Sequence, residues 1–283
     1  MSEVAEVTLD DIVDYGNSMM QMPKSALKVF QLALNDSTTN DQLAAAIEVD
    51  PAFTARLLQM VNSAAYSRGT EIVSIRGAVG RIGREQLAQL AAVLATASEV
   101  QKLDCDLLKF GSYWEHSLRV ALICGELANR FRLEKDLVFV AGLLHDLGKP
   151  IEFHRLGDQM LEVLEVSLMD DDPELVLAED EVLGFNHSTV GAEMATRWGL
   201  PAVAIEAIRY HHFPERAESY PTEVGVVALA NAIEHIELDG DFEDTDHFLD
   251  IRDRVDAALF LEVEEAVQIQ TLARARCTQM LSN

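Results

Sequence analysis

Apolar residues recur along this chain at spacings of three and four, and almost nowhere in strict alternation. That period belongs to helices with one buried stripe. Over the first hundred residues it predicts a run of helices. "MPKSALKVFQLALND" places Ala26, Val29, Phe30 and Leu32 to Leu34 on an inward face. "TTNDQLAAAIEVD" opens on a Thr/Asn capping signal. "DPAFTARLLQMVNSAAY" sets Asp50 as N-cap and Pro51 at the first helical position, where the missing N–H would have no partner anyway. "EQLAQLAAVLATASEV" continues the series after a glycine-rich approach, "RGAVGRIGREQ".

A second half starts near "LLKFGSYWEHS". Leu118, Ala121, Leu122, Gly125 and Ala128 mark the buried stripe of its first helix, with His116 one turn before Val120. "EKDLVFVAGLLHD" is apolar nearly all round, which predicts a buried helix. Gly148 reads as its stop, and Pro150 bars its continuation. Further helices are predicted over "GLPAVAIEAIRYHH" and "PTEVGVVALANAIEHI". "ELDGDFEDTDHFLD" reads as an acidic loop, with one or two closing helices to about Met280. The fold class is all-α.

Composition narrows the function. The 283 residues are 49% apolar, enough for one large or two modest cores. The longest apolar run, Leu137 to Leu144, is far too short for a bilayer, and the acidic start lacks a secretory pattern. Cys105, Cys124 and Cys277 lack metal-like spacing, and Cys124 sits within an apolar helical pattern as a core residue. A cytoplasmic setting is expected. The net charge of −26, from 48 acidic against 22 basic residues, disfavours nucleic acid and anionic membranes. A small phosphorylated ligand stays compatible, because a local metal or lysine overcomes a distant field.

Candidate chemistry concentrates in "AGLLHDLGKP". An ionised carboxylate beside a buried helix is costly unless it is paired or metal-bound. Neighbouring His145 and Asp146 reach one centre only where the helix ends, and "HDLGK" supplies that end. His116 lies 29 residues earlier, one helix–loop–helix unit away. His187 opens another helix, with Gly191 one turn on to allow close approach. His211 and His212 sit at a helix end, where one points inward and the other caps the helix, or both bind metal. His154, His235 and His247 have weaker context. His235, four residues after Asn231, is within reach of the pocket, but a solvent-facing role is expected first. Imidazole plus carboxylate suits Fe, Mn or Zn, as one or two ions.

His116 followed by "GLLHDLGKP" resembles the HD phosphohydrolase superfamily. The ordered segments "DPAFTARLLQMVNSAAY", "VSIRGAVGRIG", "WEHSLRVALICGELANRF" and "EDEVLGFNHSTVGAEMATRWGLP" resemble the HDOD family of bacterial signalling proteins over roughly residues 15–235. The resemblance implies an N-terminal helical lobe, 1–105, packed on an HD-type helical core, 106–283, and a role in signal output. The ligand series of the HD-GYP cyclic di-GMP phosphodiesterases carries over as His116, His145, Asp146, His187, His211 and His212. Asp146 would be the metal bridge and Lys149 the lysine near substrate phosphate. Two departures stand out. Asn231 occupies the position of the final aspartate, and "FPERAESYPTE" replaces the GYP segment.

The readings that follow are a signalling protein with a structural or sensing metal, and a metal-dependent phosphohydrolase or cyclic-dinucleotide phosphodiesterase in which Asp146 and Lys149 are catalytic. A metal-free helical interaction module is the third. The expected partner is a signalling protein or a small phosphorylated ligand.

Overall fold

The computed structural model describes residues 7–21, 28, 29, 32, 37–62, 71–167, 172–239 and 242–281. Among them are fourteen α-helices and one short hairpin, so the fold is all-α. The predicted inward residues Ala26, Phe30, Ala33 and Leu34 lie outside the described residues, whereas Val29 is buried and Leu32 half-buried.

Helix α1 (Leu9–Met19) is followed by α2 (Asn40–Glu48), α3 (Pro51–Val61) and α4 (Ile75–Val100). The capping signals act as read. Thr39 and Gln42 form a reciprocal capping box, and Asp50 Oδ1 accepts the Phe53 N–H at 3.0 Å. The glycine-rich approach differs from expectation, because it is itself helical. Ser74 caps α4, and the helix runs through Gly77 and Gly80 to a kink at Gly83. There φ is 83°, a left-handed backbone that glycine adopts without strain.

The second half packs around α5 (Phe110–Phe131) and α6 (Lys135–Leu144). Val138 to Leu144 are all buried, as the apolar run predicts. A Cβ on Gly142 would lie 2.6 Å from Cys124 Sγ and 3.3 Å from Ala121 Cα, so glycine sets the close approach of α6 to α5. Gln89 on α4 donates to Asp136 on α6 at 2.9 Å and ties the two halves.

Gly148 does not stop α6. The helix ends at Leu144, residues 145–147 turn, and Gly148 opens α7 (Gly148–Arg155) with Pro150 inside its first turn. Proline is tolerated there because the early N–H groups of a helix lack partners. Glycine is needed for a different reason. A Cβ at 148 would sit 2.0 Å from the His187 carbonyl oxygen, and one at Gly191 would sit 3.2 Å from the Gly148 nitrogen.

Helices α8 (Gly157–Ser167), α9 (Asp172–Leu183), α10 (His187–Arg197), α11 (Ala202–Tyr210) and α12 (Pro221–Glu234) complete the core around that approach. The expected acidic loop is instead a hairpin, β1 (Glu237–Asp239) antiparallel to β2 (Phe242–Asp244), leading into α13 (Asp246–Arg254). Three-residue strands are too short to leave a legible alternation, and α13 is anchored by buried Phe248 and Ile251. The closing helix α14 (Val263–Leu281) packs on α5. Its buried Gln270 donates to the carbonyls of Ile233, Glu234 and Ile236, at and just past the C-terminus of α12.

Replacing Gly148 by alanine should force α7 from α10 and cost about 1–3 kcal/mol or more. Gly80→Ala, whose Cβ meets nothing within 4 Å, should be neutral or slightly stabilising. Denaturant unfolding of the two variants checks the contrast.

Candidate metal centre

Each candidate side chain is delivered by a helix or a helix end. His116 projects from α5, two turns in. His145 and Asp146 occupy the turn between α6 and α7. His187 is the first residue of α10, behind an Asn186 cap that accepts the Thr189 N–H at 2.9 Å. His211 and His212 follow the last residue of α11. Within a helix, neighbouring side chains diverge by about 100°. Breaking the helix at 145–146 and at 211–212 lets adjacent residues turn to the same point. His211 and His212 rings thus lie only 4.1 Å apart, and both are buried. Arg254 on α13 donates to the His212 carbonyl at 3.0 Å and fixes that end.

The six residues read from the sequence meet at Asp146, which is 1% exposed. Its two oxygens face different groups. Oδ1 lies 3.3 Å from His187 Nε2 and 3.6 Å from His211 Nε2. His212 Nε2 lies 3.0 Å from His187 Nε2 and completes a buried four-residue group. Oδ2 lies 3.3 Å from His145 Nε2, 3.6 Å from His116 Nε2 and 2.9 Å from Lys149 Nζ. His116 and His145 face each other at 3.2 Å between their Nε2 atoms.

This donor set fits a metal. Two ligand atoms on one four-coordinate ion with bonds of ~2.0–2.1 Å lie roughly 3.3 Å apart, and the separations around Asp146 cluster there. Asp146 Oδ1 and His211 Nε2 are buried without a hydrogen-bond partner, an arrangement that a cation relieves. The far ring nitrogens are also settled. His145 Nδ1–H donates to the Gly142 carbonyl at 2.8 Å, and His211 Nδ1–H to the Ile208 carbonyl at 2.7 Å. With the proton on Nδ1, the Nε2 lone pair faces the cluster.

For His187 the acceptor is Glu179, which the sequence reading did not single out. Glu179 Oε2 lies 2.6 Å from His187 Nδ1 and accepts the His187 N–H at 3.0 Å. Glu179 and Glu152 are both fully buried, and with His187 they form a further close group. One cue was available: Glu152 lies in the first helix after the His-Asp doublet, and Glu179 eight residues before His187, yet both look like ordinary surface acids.

Charge is distributed unevenly here. Burial alone would raise Asp146, but the charges of His145 and Lys149 beside it, with the His187 ring close by, hold it well below the usual carboxylate range. Burial, reinforced by Glu179, holds Glu152 well above its ordinary value, so it carries a proton. Burial pushes His211 down to about 4, leaving it neutral near pH 7. Burial also opposes the charge on His187, yet Glu179, helped by the nearby Asp146 carboxylate, lifts it to about 9.

Asn231 is buried on α12. His235, expected in solvent, is half-buried with its ring 5.2 Å from that of His116. The turn at the end of α12 folds it inward, and its Nδ1–H donates to the Asn231 carbonyl at 2.9 Å. His154 pairs instead with the Tyr15 hydroxyl at 2.6 Å. Among the described residues no helix is long and apolar enough to cross a membrane.

Comparison with known proteins agrees with this architecture. A protein of Geobacter sulfurreducens described as an HDOD domain protein with unknown function is 26% identical with a TM-score of 0.73, covering 97% of this chain and 99% of that one. A Shewanella amazonensis protein provisionally named a phosphohydrolase shares the fold at 23% identity and a TM-score of 0.73, over 95% and 97% of the two chains. An uncharacterized protein of Treponema pallidum is 27% identical over 224 residues, 78% of this chain and 43% of its own. Ribonuclease Y of Aquifex aeolicus is 35% identical over 118 residues, 42% of this chain and 16% of the enzyme. The chain thus spans less than half the length of these two curated relatives. The model of the HDOD domain matches residues 19–214. With that match over most of its length, the chain belongs to the HDOD domain family.

Proposed function

We propose that this chain is a signal-output protein whose His/Asp cluster holds one transition-metal ion, Fe, Mn or Zn, in a structural and sensing role. The carrying observation is the unequal use of the Asp146 oxygens. Oδ1 belongs to a buried group of four donors, Asp146, His187, His211 and His212. Oδ2 is engaged by the Lys149 ammonium at 2.9 Å. Four protein donors complete a tetrahedral ion, as in structural sites, whereas a catalytic site keeps a position open for water. Asn231 points the same way, since it offers no charge where the resembling phosphodiesterases use a carboxylate. In this reading the 106–283 core carries the ion, and the 1–105 lobe and core together present the surface for a signalling protein partner. The net charge of −26 argues against nucleic acid as that partner.

A metal-dependent phosphohydrolase is the second reading, favoured by the facing His116 and His145 on Oδ2 and by buried Lys149. A metal there would lower the pKa of bound water. Lys149 would then leave Asp146 and meet substrate phosphate. Elemental analysis of purified protein should find one ion per chain, lost in Asp146→Ala and in His187→Ala. Cyclic di-GMP and bis-p-nitrophenyl phosphate should not turn over with Mn, Fe or Zn. Turnover that disappears in Asp146→Ala would replace the first reading with the second.

Glu179 holds the His187 proton on Nδ1 and aims Nε2 at the cluster. Glu179→Gln should therefore weaken metal affinity by roughly 10–100-fold, measured by competition with a chromogenic chelator. The same His187 proton sets a pH dependence. In the metal-free protein the ring is cationic below about 9, and a ligand ring must give up that charge. Metal uptake at pH 7 should release about one proton from His187, and affinity should fall as pH is lowered from about 9 to about 6. Calorimetry in buffers of different ionisation enthalpy measures the proton count.

A further inference from the structure

Seven of the eight histidines form one unbroken line. From the inner group, His211 lies 4.9 Å from His145 between ring centres, and His145 lies 5.2 Å from His116. The line then leaves the core: His116 to His235 is 5.2 Å, and His235 to His247 is 6.0 Å. Two imidazoles sharing one ion through bonds of ~2.0–2.1 Å have ring centres roughly 5–6 Å apart. Each successive pair is therefore spaced to hold an ion jointly.

Burial grades along the same line. His145, His187, His211 and His212 are at most 3% exposed, the His116 side chain is 18% exposed, and His235 and His247 are half-buried. His235 also shares a device with the buried ligands. Its Nδ1–H is tied to a backbone carbonyl, that of Asn231, as those of His145 and His211 are tied to Gly142 and Ile208. In a ring so held, Nε2 is the nitrogen through which it would coordinate an ion. The outer end is negative as well: Glu237 follows His235 by two residues, Asp246 and Asp250 flank His247 on α13, and all three are exposed.

We infer that His235 and His247 form an outer, exchangeable metal station that captures divalent transition-metal ions and passes them through His116 and His145 to the buried Asp146 group. The inference rests on the metal reading above. Its chemical logic is stepwise ligand exchange. Each imidazole keeps hold of the ion until the next binds, so the ion is never without a protein ligand on its way to the buried group. No bond in the protein forms or breaks other than coordination.

Chelator-stripped protein mixed with Co(II) in a stopped-flow spectrophotometer tests this through the visible bands of histidine-bound cobalt. Glutamine retains bulk and polarity at half-buried positions, so His235→Gln and His247→Gln should fold. Each should slow Co(II) uptake by at least about tenfold while the final stoichiometry and inner dissociation constant stay at the wild-type values. His154→Gln, on the Tyr15 contact, should load at the wild-type rate. Wild-type rates in both outer variants would overturn the route. Loss of the bound ion in His235→Gln would also overturn it, by making His235 a permanent ligand. Failure of the wild-type protein itself to bind Co(II) would sink the metal reading and the station with it, and that result is distinguishable because it precedes any variant.

Discussion

The structure turns on one buried carboxylate. Asp146 sits at the meeting point of α5, α6, α7, α10 and α11 with almost no solvent contact. An isolated charge there would cost several kcal/mol or more. Its surroundings offset that cost on both oxygens: Lys149 with His116 and His145 at Oδ2, His187 and His211 at Oδ1. The asymmetry matters for function. A lysine already satisfies one oxygen, while the other lies among imidazole nitrogens at the spacing of ligands on one ion.

Holding so many polar groups at one point dictates the helix architecture. Two helix breaks, at 145–147 and after 210, convert sequence neighbours into converging side chains. Gly148 and Gly191 then let α7 and α10 touch backbone to backbone, and this brings His187 onto Asp146. Behind the nitrogens stands a second layer of acceptors, the Gly142 and Ile208 carbonyls and Glu179. Glu152, protonated, lies against Glu179 and avoids placing two like charges in one dry space. Rigidity here serves orientation, which suits a site that retains an ion better than one that must admit water and release product.

Much of this was legible because helices write their period into the sequence. The caps at Thr39 and Asp50, the all-apolar α6 and the opening of α10 at His187 follow from local chemistry. The doublet at 145–146 announced a buried polar centre, and the histidine series followed from its order along the chain. The misreadings share a cause. Gly148 looked like a stop because local rules describe backbone freedom, whereas its actual constraint is the His187 carbonyl across a tertiary contact. Glu152 and Glu179 look like surface acids, since nothing in the period tells a buried carboxylate from a solvated one. His235 seemed solvent-facing until the turn after α12 folded it against His116. The hairpin at 237–244 was too short to leave a pattern.

In the proposed reading one ion would be held on the Oδ1 side of Asp146 by His187, His211 and His212, while Lys149 keeps Oδ2. Anomalous diffraction recorded at the absorption edge of the bound metal locates it directly. A single strong peak is expected among Asp146 Oδ1 and those three histidine Nε2 atoms, with the Lys149–Asp146 ion pair retained. Two peaks bridged by Asp146 with Lys149 swung away, or no peak in fully metal-exposed crystals, would contradict it.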